Sequence, residues 1–285
     1  MRARSADRSY TSRVPDTPEV VGHYSAHYAD FASQVYADTR RDAFGEDIGQ
    51  NSWLTREELD GFIRLLDIAP SSRLLDVASG SGGPSLYVAR ATGCEVVGLD
   101  VHEEAVASGS RLAQEAGLDR RASFVQADAG EPLPFGGDLF DAVLCIDAIN
   151  HFRGRVGVFA EWARVLRPGG RVLFTDPATV TGPLDSDEIA RRSSIGYFLF
   201  MPPGKNERLL AEAGLNVLAV EDTTAAMAHV ARRRHEARVN RASALKELEG
   251  AEAFEGRQRF FETAALLARE GRLSRLVYLA TKPRR

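Results

Sequence analysis

The chain has 285 residues, of which 44% are hydrophobic and 27% charged, and its net charge is −4. That is enough apolar material for one large domain or a domain with a cap, and the acidic balance argues against the broad positive field of a nucleic-acid binder. No apolar run approaches the ~18 residues that span a bilayer, and the two cysteines, Cys94 and Cys145, sit in strand-like runs that fit free thiols in a reducing cytoplasm rather than a disulfide framework.

The polar opening, residues 1–18, has no apolar core and reads as a flexible tail rather than a secretory signal. Residues 19–70 read as a helical segment. Val21, Tyr24, Tyr28, Phe31 and Val35 recur at three- and four-residue steps, and "LTREELDGFIRLLDI" opens with Thr55 and Glu58 at capping-box spacing. From Ser71 the period changes. "SRLLDVA", "CEVVGLD", "ASFVQAD", "LFDAVLCI" and "RVLFTD" are strands. "GPSLYVARAT", "HEEAVASGSRLAQEAG" and "RVGVFAEWARVL" are the helices between them, with "RPGG" a stop. Apolar strands alternating with amphipathic helices predict a parallel sheet covered on both faces over 71–176. Beyond Asp176 the rhythm loosens. Over 177–285 we expect an insertion, a helix at "NERLLAEAG", a strand at "LNVLAVEDTT", helices over 225–270 and a closing strand at "RLSRLVYLATK".

The stretch "LLDVASGSGG" (74–83) runs a buried strand into a bend of small residues. In an open parallel sheet, ligands bind beyond the carboxyl ends of the strands. Gly80 and Gly82 allow unusual dihedrals and close ligand approach there. Asp100 ends the second strand about 20 residues on, where a carboxylate accepts from ribose hydroxyls; a helix cap is its plainer use. Asp128 ends the third, placed for an exocyclic adenine amine or an Asx turn, with Ala129 beside it. The dinucleotide pattern G-x-G-x-x-G is replaced by A-S-G-S-G-G, and no Walker pattern is present. Asp76 stands before the bend, which suits a ligand with ammonium and sulfonium groups rather than an anion.

"LLDVASGSGG", "VVGLD", "QADAGEPLPF", "FDAVLCIDAINHF" and "ARVLRPGGRVLFTD" follow one another in the order of the motifs of class I S-adenosylmethionine (SAM)-dependent methyltransferases, and the chain resembles that family's small-molecule enzymes of the ubiquinone-biosynthesis and natural-product type. The resemblance covers 71–176. It implies a Rossmann-like, doubly wound α/β sheet of seven strands, the last antiparallel, with a helical cap. It implies SAM as cofactor and S-adenosylhomocysteine as product. Carried over by motif, Asp76, Ala78, Ser79, Gly80 and Gly82 would line the methionine part. Asp100 and Val101 would hold ribose and adenine, Asp128 and Ala129 the adenine edge, and Ile146 the sulfonium region. The family usually has glycine where this chain has Ala78.

Methyl transfer asks the protein to align an acceptor, exclude water and, for a hydroxyl, supply a base. His151, after the fourth strand, is the candidate base; related O-methyltransferases have a histidine at the matching position. Asp147 and Asp176 are secondary candidates. The acceptor pocket is expected to be mostly apolar or aromatic, built from the N-terminal helices, the 177–205 insertion and the 225–270 cap. Within it, "IGYFLFMPPG" (195–204) is a lid or pocket wall, or instead plain core or a homodimer contact, and "GEDIGQNSWLT" (45–55) a loop closing over cofactor or substrate. "ARRRHEAR" (231–238) is either a basic patch for a phosphorylated substrate or a solvated helix face, and we read the latter. His23 and His27 stand i, i+4 without a third ligand, so no metal site is assigned. The absence of [ND]-P-P-[YF] after the fourth strand argues against a nucleic-acid methyltransferase. Non-methylating SAM chemistry, such as cyclisation, and a nicotinamide oxidoreductase are the rival functions.

Overall fold

The computed structural model describes residue 31 and residues 33–284. The expected tail, most of the first helical periodicity and the His23/His27 pair lie outside the described residues. Among the described residues no helix is long and apolar enough to cross a membrane.

Seven strands form one sheet in the order β3-β2-β1-β4-β5-β7-β6. They are β1 (Arg73–Val77), β2 (Glu95–Asp100), β3 (Ala122–Gln126), β4 (Phe140–Cys145), β5 (Leu166–Val180), β6 (Asn216–Asp222) and β7 (Leu273–Thr281). The first five run parallel, and β7 pairs antiparallel with both β5 and β6. The chain winds outward in one direction through β1, β2 and β3 and in the other from β4. The crevice between β1 and β4 is therefore the switch point at which such sheets bind ligands.

Two alternating sets of side chains bury the two faces. Leu75, Val77, Val97, Leu99 and Val143 pack with Phe159, Trp162 and Phe174. Leu74, Val96, Ala142 and Leu144 pack with Leu59, Phe62 and Leu86. A period of two along each strand is what sends neighbours to opposite faces. Cys94 and Cys145 are buried, unpaired thiols within these layers.

Ten helices of at least seven residues accompany the sheet among the described residues. α1 (Gln34–Phe44) and α2 (Arg56–Leu66) precede it. α3 (Gly83–Thr92), α4 (Glu103–Glu115) and α5 (Arg155–Val165) are its crossovers. α6 (Ser186–Arg192), α7 (Lys205–Glu212), α8 (Thr224–Val239), α9 (Ala242–Glu249) and α10 (Ala251–Arg269) follow β5. α1, α8 and α10 stack into the expected cap.

Two local expectations change. "RPGG" is not a stop, because β5 begins before it. The register jumps from Phe140↔Leu166 to Ala142↔Arg171, so these residues bulge out while Gly169 N–H and Gly170 C=O bond to Lys282. At α2, Thr55 accepts from the Glu58 N–H, but the Glu58 carboxylate does not reach back to complete the box. It bonds Arg275 instead.

Candidate active site

The turn after β1 is built on left-handed backbone. Ala78 (φ 57°), Gly80 (φ 56°) and Gly82 (φ 79°) all have positive φ, and the Ser79 N–H is tied to the Leu99 carbonyl at 3.0 Å. Only glycine adopts this region freely, so Ala78 is strained. Gly82 is required for a different reason. A Cβ there would lie 2.4 Å from the Phe124 ring.

Beyond this turn lies a cavity of about 300 Å³. Asp76, Ala78, Ser79 and Gly80 line it from β1, Asp100 and Val101 from β2, Asp128 and Ala129 from β3, and Ile146, Asp147 and His151 from β4. Gly82 is the one expected residue that does not. It caps α3 and packs behind the turn.

Two of the carboxylates are buried. Asp76 accepts from the Ser85 hydroxyl at 2.5 Å, and burial, opposed by that bond and reinforced by Asp100, pushes its pKa up to about 7. Asp100 accepts the Gly80 N–H (2.8 Å) on one oxygen and the His102 N–H (3.0 Å) on the other. Burial raises its pKa as well. Each oxygen keeps a lone pair for a further donor. Asp100 therefore serves the backbone at its own turn but does not cap α4, whose N-cap is His102. Asp128 is exposed and closes an Asx turn onto the Gly130 N–H at 2.7 Å. Ser79 and Ser81 add buried hydroxyls with no hydrogen-bond partner among the described residues.

His151 ends a short 3₁₀ turn, Ile149–His151. Its Nδ1 lies 2.6 Å from the Tyr197 carbonyl oxygen. A carbonyl only accepts, so Nδ1 carries the proton and Nε2 the lone pair. The Asn150 amide, 3.3 Å from Nε2, donates to it. Desolvation, with Arg192 and Arg155 nearby, pushes the pKa of His151 down to about 4.

The other two candidates are engaged elsewhere. Asp147 (φ 51°) accepts from the Trp53 N–H at 2.9 Å on one oxygen and from Thr175 and Arg275, both at 2.7 Å, on the other. Asp176 is fully buried, away from the cavity, and holds Arg155 (2.5 Å) and Asn206 (2.9 Å). It neither orients His151 nor lines either cavity, and it accepts the Ala178 N–H at 3.1 Å, the loop-cap use that was its plainer alternative.

A second cavity, of about 120 Å³, adjoins the first and shares Phe31, Asn51, Ser52, Asp147 and His151 with it. α1, the 45–55 loop, the 177–205 segment, α8 and α10 enclose it. In 195–204 successive residues serve different cavities, Tyr197 the larger and Phe198 the smaller. The lining is mostly apolar and aromatic, but it carries charge as well. Arg40, Arg192, Arg234, Arg238 and Arg257 all reach it. The 231–238 run is thus split. Arg232 pairs with Glu236 outside, while Arg234 and Arg238, one turn apart, point inward. That i, i+4 spacing inside a charged run was the available signal, and the distant aromatic residues that receive it gave none. Among the described residues no group of three or more His, Cys, Asp or Glu is gathered for a metal.

A family profile described as a methyltransferase domain matches residues 75–174, the strands and crossovers that carry the larger cavity. The 27-O-demethylrifamycin SV methyltransferase of Amycolatopsis mediterranei (strain S699) is 30% identical over 212 residues, 73% of this chain and 78% of that one. The chain belongs to the class I SAM-dependent methyltransferases. A second relative of this methyltransferase, GfsG of Streptomyces halstedii, is 34% identical over 165 residues, 56% of the chain and 58% of GfsG. Among solved structures, the [4+2]-cyclase SpnF shares the fold with a TM-score of 0.76 at 21% identity, covering 95% of this chain and 97% of that one. SAM is the methyltransferase's cofactor, and structures sharing its fold hold SAM or S-adenosylhomocysteine.

Proposed function

We propose that the enzyme methylates an oxygen of a small molecule held in the 120 Å³ cavity, with SAM in the 300 Å³ one and His151 at the seam between them. The shared wall is the observation that carries this reading. Two cavities with His151 common to both bring a donor and an acceptor to one side chain.

The larger cavity suits the cofactor. The Asp76 carboxylate is placed for an ammonium group and the spare lone pairs of Asp100 for ribose hydroxyls. The partnerless hydroxyls of Ser79 and Ser81 suit a carboxylate, and Asp128 and Ala129 the adenine edge. Val101 would pack against the ring and Ile146 near the sulfonium. When bound, SAM supplies a methyl group already activated for displacement. Gly80 and Ala78 keep the backbone close to it. The 45–55 loop and Tyr197 exclude water, which aligns the reactants and strengthens the local field. His151 Nε2 accepts the proton that a hydroxyl acceptor must lose, while the Tyr197 carbonyl fixes the tautomer. Asp147 serves as a positioning residue, holding the Trp53 backbone and hence the loop.

We read the acceptor as a secondary metabolite or quinone-like compound, in keeping with the rifamycin relative. Hydroxylated aromatic acceptors incubated with methyl-tritiated SAM test the function, and label should appear in product. Binding of SAM with conversion of substrate but no label transfer would favour the cyclisation reading. A rise in melting temperature with NAD and none with SAM would sink both.

A further inference from the structure

The smaller cavity has a charge that methyl transfer itself does not call for. Arg234 donates to the Ser52 carbonyl (2.9 Å), the Asn51 carbonyl (3.3 Å) and Asn51 Oδ1 (3.2 Å). These partners are neutral and use three of its five N–H donors. Among the described residues no carboxylate lies within ion-pair distance of it. The Phe261 ring centroid is 4.5 Å from its guanidinium carbon and that of Trp53 5.5 Å. Fully buried Arg192, 5.8 Å from the Trp53 ring centroid, lies against Phe260 (4.6 Å) and Phe198 (4.7 Å) and donates to the Pro177 carbonyl. Behind Arg234, Arg238 and Arg257 share Glu249. Arg40 is paired with Asp47 at 2.7 Å, and Asp147, the one acid on the wall, is bound to Arg275.

We propose that this cavity recognises an oxyanion, a carboxylate or phosphate, on the methyl acceptor, with Arg234 as its counter-charge and Trp53, Phe260 and Phe261 flanking an aromatic body. The proposal rests on the methyltransferase reading of the site and narrows its substrate class. Two further observations support it. Burial and the neighbouring Arg238 and Arg257 push the pKa of Arg234 down to about 9, the condition of a cation short of negative charge. Guanidinium groups also match planar oxyanions with paired donors and stack on rings, which neutral acceptors would not require.

The test uses the full chain saturated with S-adenosylhomocysteine and two probes of nearly equal shape, 4-hydroxybenzoate and 4-hydroxybenzamide, in titration calorimetry. The carboxylate should bind about tenfold or more tightly than the amide. Arg234→Gln should reduce that ratio to about threefold or less, leave S-adenosylhomocysteine affinity nearly unchanged, and Arg234→Lys should restore part of the preference. Equal affinities for the two probes in the unmodified enzyme, binding of neither at millimolar concentration, or a preference that survives Arg234→Gln would each overturn the proposal and leave the methyltransferase reading standing. Failure to bind S-adenosylhomocysteine at all would sink both. The comparison of probes in the unmodified enzyme keeps its force even where Arg234→Gln does not fold.

Discussion

Arg275 on β7 and Asp147 after β4 form an ion pair of 2.7 Å with side-chain exposures of 0% and 4%. Arg275 also reaches Glu58 of α2 at 2.5 Å. The pair therefore ties the cap's entry helix and the Trp53 loop to the sheet. Removing one member of a buried pair leaves an uncompensated charge, which typically costs about 3–5 kcal/mol. Arg275→Met is expected to lower unfolding free energy by that order in a urea titration. A loss of well under about 1 kcal/mol, the scale of an exposed pair, would show that the cap does not depend on this tie.

Asp100 and Asp128 should differ in weight. Hydrogen bonds to a buried charge contribute roughly 1.5–3 kcal/mol, so Asp100→Ala should weaken SAM binding about ten- to a hundredfold. Asp128 is exposed, and its alanine variant should cost about tenfold or less. Calorimetry with both variants checks the order, and an unchanged affinity in Asp100→Ala would refute the ribose assignment.

The raised pKa of Asp76 couples SAM binding to protons. In the cofactor-free protein the folded carboxyl holds its proton up to about pH 7, against an ordinary 3.8. Between those values the folded state binds more protons than the unfolded, so this group's contribution to stability falls as pH rises. An ammonium group beside it favours the ionised form. SAM affinity should then climb as pH rises toward about 7 and level off above it, with release of up to one proton on binding below that point. Calorimetry in buffers of different ionisation enthalpy measures that proton, and none released near pH 6 would remove the ammonium from Asp76.

The parts of this enzyme that were legible in its sequence are those written locally. Each strand of 71–176 alternates or is continuously apolar, and Asp76, Asp100 and Asp128 each stand at or just beyond the carboxyl end of a strand, so they could be placed along one sheet edge. The segments around the smaller cavity were those named for an acceptor pocket, but its arginines were not legible, because the aromatic residues they lie against come from positions far apart in the chain. Arg234 looked like surface charge until Trp53 and Phe261 were beside it. Asp176 failed as a candidate for the same reason. Its partners, Arg155 and Asn206, come from helices on either side of it in the chain, and no spacing announces them.

His151 should affect turnover without affecting the cofactor. His151→Ala is expected to lower kcat for a hydroxyl acceptor by about 10²–10⁴, with SAM affinity nearly unchanged and partial rescue by added imidazole. Because the folded pKa is about 4 and the ordinary one 6.5, the unfolded state binds the extra proton between those values. Stability should fall as pH drops through that window, and less so in His151→Ala. Denaturant midpoints of the two proteins across pH measure the difference; a parallel response would rule out the buried neutral imidazole.

Ala78 gives a small test of the turn. The left-handed backbone costs a residue with a Cβ roughly 1–2 kcal/mol, and glycine gives back about 0.5–1 through a freer unfolded chain. Ala78→Gly should therefore raise stability slightly, by up to about 1 kcal/mol, or about 2 °C in Tm. A clear destabilisation in a melting experiment would show that the methyl group packs usefully.

The wall common to the two cavities makes their occupants thermodynamic partners. Asn51, Ser52, Asp147 and His151 form part of the surface that each cavity offers. Whatever factor a methyl acceptor imposes on the dissociation constant of SAM, SAM must return to the acceptor unchanged. Tightness toward the nucleoside is thus a property partly set by the chemistry of the methyl acceptor, and an affinity measured with one seat vacant describes only half of a linked equilibrium.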